Sequence, residues 1–356
     1  MRMETEKVQT EVVDADLLAE LEKARGGPAF DTYARHLAHV QHERNAKAAR
    51  RREMTPIQRR RDEIREFVAK VSLGDADRYH IHSVIALCGL PYRRPLNDHV
   101  DYVREYGRNS LVVQPGYLKD PVSGKMVRQG TPYGPKARLI MLHICTMALR
   151  QNSYEIEVAD SMSAFIRDLG FAVTGGERGT INQFKEQLHR LAAARMQIGL
   201  WDGNRSLTVN SQPIEAFDIW LPRDTDQRML WSSTLILDER FYRSLKEHAL
   251  PVDIRTLRAF ASSARQIDII LWMAYRLRSV RKPYLITWEL LKEQFGAGVK
   301  RDRKFREEFA DDIKLIGEVI PNLPAKLSDR GLMLYPSDPE RLFVPPKPKL
   351  LKPSRR

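Results

Sequence analysis

Apolar residues recur along this chain with two periods, and each change of period marks an element. Between Ile57 and Leu73, the residues Ile64, Phe67, Val68 and Val71 fall on one side of a helix. A second helix is expected over Ile81–Cys88 and a third over Leu96–Tyr106. The period then drops to two. Ser110–Gln114 reads as a strand, and Asp120-Pro121-Val122-Ser123-Gly124 as a turn into another strand near Met126-Val127.

Beyond this, one order of elements occurs twice. In residues 136–220 it runs from an apolar helix, Ala137–Leu149, to a short strand, Glu155–Val158. A helix capped by Asp160 or Ser161 then ends at Leu169 before Gly170. A turn with Gly175, Gly176 and Gly179 leads to a longer helix from Thr180 to about Met196. Two alternating segments follow, Gln197–Trp201 and Leu207–Val209, joined by the turn Asp202–Arg205, and Ala216–Leu221 is a candidate third strand. In residues 264–338 the same order is Ile267–Leu277, the strand Tyr284–Ile286, and a helix from its cap Thr287 to Phe295, stopped by Gly296. A turn with Gly298, a helix from Arg301 to Val319, and the hairpin Ala325–Leu327 with Leu332–Tyr335 complete it. Helix, strand, helix, turn, helix, hairpin is the order of a winged helix-turn-helix, whose third helix enters the major groove while the hairpin touches adjacent backbone.

The expected fold is therefore α+β and mainly helical, with two tandem winged helix-turn-helix domains and a basic N-terminal arm. Residues 1–55 form the basic, partly disordered arm. Residues 56–225 hold the first domain and 226–338 the second. Residues 339–356 are a disordered tail rich in Pro, Lys and Arg. The segment Trp231–Ala261 between the repeats is expected to be mainly helical, with Pro251 starting one of its helices.

Charge narrows the function. The 356 residues carry 59 Lys and Arg against 46 Asp and Glu, a net charge of +13, which attracts polyanions. Arg35–Arg65 holds ten bases and four acids, including Arg50-Arg51-Arg52 and Arg59-Arg60-Arg61, a composition suited to phosphate contacts or to a solvated helix face. No apolar run approaches the roughly 18–20 residues of a membrane span, and Met1–Glu22 lacks a signal-peptide core. A cytoplasmic protein without a membrane partner is expected. Cys88 and Cys145 read as buried free thiols.

Two helices carry candidate DNA contacts. In the last one, Phe305, Phe309, Ile313 and Ile316 form the core stripe. Lys300, Arg303, Lys304, Glu307, Asp311 and Lys314 then lie opposite, flanked by Arg301 and Arg306. A basic first turn runs against the helix dipole, which a guanine edge or a phosphate opposite it would offset. In the earlier third helix, Ile181, Phe184, Leu188 and Leu191 face inward. Asn182, Gln183, Glu186 and Arg190 face out, with Lys185 and His189 on the flanks. Arg205 and Arg330, at the hairpin tips, are candidate contacts to backbone or minor groove.

Catalysis is not expected. His80-Ile81-His82 fits the His-hydrophobe-His pattern of rolling-circle nickases, with Tyr79, Tyr92, Tyr102 and Tyr106 nearby, but its surroundings read as helix. Two partly buried structural histidines account for it without a metal. His36, His39 and His42 lack carboxylate or cysteine company, so no metal is expected. No GxxxxGK[ST] occurs, and no cofactor is implied.

Four stretches resemble the plasmid-encoded RepA replication initiators of Gram-negative bacteria. They are Pro132–Ile140, Asp160–Phe165, Arg178–Gln187 and Leu245–Ala249, within a likeness that covers about Ser110–Pro336. The resemblance implies an initiator with two winged helices that binds directly repeated origin sites, or iterons. It implies repression of its own gene as a dimer, opening of nearby A/T-rich DNA, and recruitment of a host initiator and the replicative helicase. A transcriptional repressor with the same DNA-binding parts is the alternative, because initiators and repressors share the fold.

Overall fold

The computed structural model describes residues 12–27, 30–70, 74–120, 123–157, 166–167, 171, 174, 176, 179–201, 203–217, 234–320 and 322–337. The chain forms two compact units, one ending at Asp62 and the other beginning at Glu63.

The described residues of the first unit up to Glu53 form a helical hairpin, so the expected basic arm carries a small core of its own. α1 (Ala15–Lys23) and α2 (Phe30–Glu53) bury Val12, Leu17 and Leu21 against Ala34, Leu37 and Ala38. The break between them falls at Gly26, whose φ of 88° suits glycine. Buried Gln41 accepts the Val13 and Asp14 N–H groups at 3.0 and 2.9 Å, and Arg44 clasps Asp14 and Asp16. The apolar positions were too few and too widely spaced to reveal this small core in the sequence. α3 (Pro56–Lys70) runs across the boundary.

The second unit is mixed α/β, with small antiparallel sheets around two buried helices. α5 (Gly134–Gln151) and α9 (Ala264–Arg276) are apolar on almost every face, the signature of helices enclosed by other elements. One continuous core joins them, crossing the position near 225 where the sequence pattern places a domain boundary. The link is also ionic. Arg138 of α5 pairs with Asp268 of α9 through two bonds of 2.6 and 2.7 Å, and both side chains are buried.

Around this centre, β1 (Arg78–His82) pairs with β11 (Ala249–Asp253). The first of these flanks α4 (Ser83–Cys88), so the helix expected from Ile81 is strand at its start. β2 (Tyr102–Tyr106), β3 (Asn109–Gln114), β7 (Arg195–Trp201) and β8 (Ser206–Ser211) form a sheet in that order, and β4 (Tyr117–Lys119) pairs with β5 (Met126–Arg128). The helix expected over Leu96–Tyr106 is thus replaced by β2. Its Tyr102, Arg104 and Tyr106 point inward alternately, and the Tyr106 hydroxyl accepts from Trp272 and Arg276. Burial of one face at period two outweighs the weak helical spacing there.

The segment before α9 is more helix than strand, as expected, but it also carries two strands. β10 (Thr234–Leu237), α7 (Glu239–His248), β11 and α8 (Ile254–Ala259) follow one another. Pro251 starts no helix; it lies in β11 opposite His80. The His80 carbonyl accepts from the Thr146 hydroxyl at 3.3 Å and the His80 N–H donates to the same oxygen at 2.8 Å, so His80 is satisfied without an N–H from Pro251.

In the first repeat, β6 (Glu155–Glu157) pairs with β10, which also pairs with β9 (Ile214–Phe217); α6 (Thr180–Ala193) precedes the β7–β8 hairpin. The expected helix over 160–169 lies outside the described residues except for 166–167, and so does the tail after 337. In the second repeat, β12 (Tyr284–Thr287), α10 (Trp288–Phe295), α11 (Asp302–Val319), β13 (Ala325–Ser328) and β14 (Gly331–Leu334) follow α9. β14 lies between β12 and β13 in one antiparallel sheet.

Candidate nucleic-acid interface

α11 is held by aromatic packing on one side and ion pairs on another. Phe305, Phe309, Ile313 and Ile316 are buried, and Trp288 of α10 meets Phe305 and Phe309 edge-on at 6.4 and 6.1 Å. Arg265 of α9 binds Glu308 and Asp312 at 2.8 and 2.6 Å, and Gln266 donates to Asp312 at 2.7 Å. Two of the helix's acids are therefore turned toward the protein.

The turn before α11 is equally fixed. Gly296 ends α10, Gly298 has φ 83°, and Lys292 donates to the Lys300 carbonyl at 3.0 Å while pairing with Asp302. Hydrogen bonding to Lys292 holds the Asp302 carboxyl below its ordinary value. Arg104 of β2 caps the carbonyl end of α10 through Glu293 and Gln294. The Trp288 indole N–H donates to the Asp329 carbonyl at 2.9 Å, tying the β13–β14 turn to α10 beside Arg330.

This frame leaves one basic surface. Lys300, Arg301, Arg303, Lys304, Arg306, Lys314 and Arg330 are all exposed. Arg303 pairs with Glu307 at 2.9 Å, with 91% of its side chain exposed, and Lys304 lies 3.7 Å from Glu308. Exposed pairs of this kind stabilise by about 0–1 kcal/mol, so a stronger anion displaces them at little cost. Arg306 covers the Trp288 ring at 5.7 Å. Among the described residues, the Lys300, Arg301 and Lys314 side chains meet no acid.

α6 presents less. Asn182 and Gln183 are exposed at its start, with Asn182 donating to the Gly176 carbonyl at 2.9 Å. Lys185 is half-buried, and desolvation pulls its amine below the ordinary lysine value. Arg190, expected to face out, is buried. It donates to Asp98 at 2.8 Å, to the Thr131 carbonyl at 3.0 Å and to Glu186 at 3.0 Å, with Tyr133 under its guanidinium. The helical projection was correct, but residues 94–98 and 131–133 cover that side of the helix, which periodicity alone does not reveal. Burial pushes the Asp98 carboxyl up, yet bonds from Arg190 and Arg94 outweigh this and hold it below its ordinary value. Arg205 is exposed in the β7–β8 turn.

The residues that sequence reasoning missed are the buried ions. Arg138, between Ala137 and Leu139, and Asp268, between Ile267 and Ile269, each interrupt an apolar run within a helix, and that interruption was the available signal. His80-Ile81-His82 lies on a strand, not in helical surroundings. The His82 ring is already engaged: Nδ1 accepts from Val84 N–H at 3.2 Å, and Nε2 is 3.0 Å from Ser244 Oγ. Among the described residues, no group of three His, Cys, Asp or Glu is arranged to hold a metal ion.

Part of the mixed α/β unit matches a known family, and the match ends before α11 begins. Residues 131–290 match the RepA_C family model, described as plasmid encoded RepA protein. Over that segment, which is less than half of the chain, the sequence is similar to plasmid-encoded RepA proteins, the family that Pro132–Ile140 and Arg178–Gln187 resemble. Among solved structures, a crystal structure of domains 2 and 3 of RctB aligns at a TM-score of 0.43 and 7% identity, over 65% of this chain and 85% of that one. A likeness at that level leaves the fold to be read from this chain's own elements. Among curated proteins, none is significantly similar in sequence. No described helix is long and apolar enough to cross a membrane.

Proposed function

We propose that this chain initiates plasmid replication by binding repeated duplex sites at the origin. In this reading α9 through β14 is a winged helix. α11 enters the major groove with Arg303 and Lys304 foremost, and Lys300, Arg301, Arg306, Lys314 and Arg330 hold the flanking phosphates. The observation that carries it is the basic surface at the start of α11: exposed, opposed to the helix dipole, and opposite a fully buried aromatic stripe. Asn182, Gln183, Lys185 and Arg205 would make a second, weaker set of contacts from the first repeat. Arg190 is withdrawn as a contact because it is already paired and buried.

The protein would work without catalysis or cofactor, in the bacterial cytoplasm. It would open A/T-rich DNA beside the repeats and recruit the host initiator and helicase. A dimeric form would repress its own gene. Arg303→Ala and Lys304→Ala should each weaken binding to an origin repeat by about 1–3 kcal/mol in a gel shift, with the fold intact. Unchanged affinity in both variants would remove α11 from the groove.

A further inference from the structure

The second half of α2 stands in solvent without a packing reason. Every residue from His42 to Arg50 is exposed, so no face of these turns is held by a core. The stretch is kept helical by Ala46, Ala48 and Ala49, which favour helix intrinsically, and by Arg50, Arg51 and Arg52, which suit the negative end of the dipole. From Arg44 to Arg61 the sequence holds eight bases and one acid, Glu53. Arg44 is taken up by Asp14 and Asp16, and Arg51 by Asp62. Arg50 and Arg52 meet no acid among the described residues. At the other side of the corner, exposed Arg59 stands in the first turn of α3, where cations are disfavoured, donating to the Met54 carbonyl at 3.2 Å, and Thr55 and Gln58 cap the helix without a carboxylate. The dipole accounts for bases at the end of α2 but not for Arg59 at the start of α3. A polyanion lying along the corner accounts for both.

We infer that the α2–α3 corner is a second contact to duplex DNA, made to phosphates and indifferent to sequence. A helix about 10–12 Å across fits a major groove about 12 Å wide, and the alanines let its backbone approach closely. A bilayer is a poorer partner: residues 42–50 carry no apolar side chain larger than alanine, so they offer no face to bury. The contact would hold the chain on DNA while α11 selects the site, and it does not depend on α11 being the reader.

The test uses the full-length chain carrying Lys47→Gln, Arg50→Gln and Arg52→Gln, with helicity checked by circular dichroism. Binding to a scrambled duplex of about three turns is followed between about 50 and 200 mM salt. Each lost phosphate contact lowers the slope of log affinity against log salt by about 0.9, so the variant should be shallower by roughly 2–3. Its preference for origin over scrambled DNA should not change, whereas Arg303→Ala should change that preference. If the triple variant loses helix, the charge-conserving set Lys47→Arg, Arg50→Lys and Arg52→Lys must keep the wild-type slope. Equal slopes for wild type and a folded triple variant would overturn the inference. Loss of binding to phosphatidylglycerol vesicles with an unchanged duplex slope would overturn it in favour of a membrane.

Discussion

Asp268→Ala removes one half of the ion pair that ties α5 to α9. It leaves the Arg138 guanidinium buried, with 2% of its side chain exposed, beside the carbonyls of Leu90, Pro91 and Gly134 and the ring of Tyr92. Those carbonyls satisfy its donors but do not neutralise its charge. Burial alone would lower the Arg138 pKa, and Asp268 more than offsets that. Breaking a buried pair on one side typically costs about 3–5 kcal/mol, a large part of the roughly 5–15 kcal/mol that holds a domain together. At about 2–4 °C per kcal/mol for a large domain, the melting temperature should fall by roughly 6–20 °C. Urea unfolding followed by tryptophan fluorescence measures the loss directly, with Trp272 on the same helix as its reporter. Replacing both partners, Arg138→Met with Asp268→Leu, removes charge and acceptor together and should cost less than Asp268→Ala alone. A loss under about 1 kcal/mol in the single variant, or a double variant as unstable as the two singles summed, would refute the pair as the link between the repeats.

Three further outcomes follow from the buried groups. Burial pulls His82 down to about 3 and His143 to about 4, below the ordinary histidine value. Both therefore contribute stability that is full above pH 6.5 and is lost as pH falls toward 4. Each should contribute a slope of about 1.4 kcal/mol per pH unit, and His143→Leu should lower the total by that amount; a slope identical to wild type would remove His143 from the account. Arg190→Ala should destabilise by about 1–3 kcal/mol, since Asp98 keeps only the exposed Arg94 and His99 as basic neighbours. Unaltered stability with lost base discrimination would return Arg190 to the DNA surface. No metal-dependent nicking of supercoiled origin DNA is expected, and a nick that vanishes in His82→Ala would make the protein an enzyme.

The second repeat was legible almost residue by residue, because Thr287, Gly296, Gly298 and the 328–331 turn punctuate strongly periodic segments. The basic surface of α11 was legible for the same reason: four large apolar residues fix which way the helix turns. The first repeat was harder. β6 closes onto β10, more than seventy residues later, and β7 pairs with β3, more than eighty residues earlier, so its strands are satisfied by partners no local pattern names. Tyr102–Tyr106 and Pro251 were misplaced because long-range pairing overrides weak local spacing. The fate of Arg190 depended on a loop nearly a hundred residues away in sequence.

Methylation interference on a single origin repeat asks most directly whether α11 reads the major groove, because guanine N7 lies on that edge. Wild-type protein should be blocked by methylation at defined guanines spaced along one face of the duplex. Arg303→Ala or Lys304→Ala should become indifferent at one of these positions and keep the others. Identical interference patterns for wild type and both variants would contradict the account.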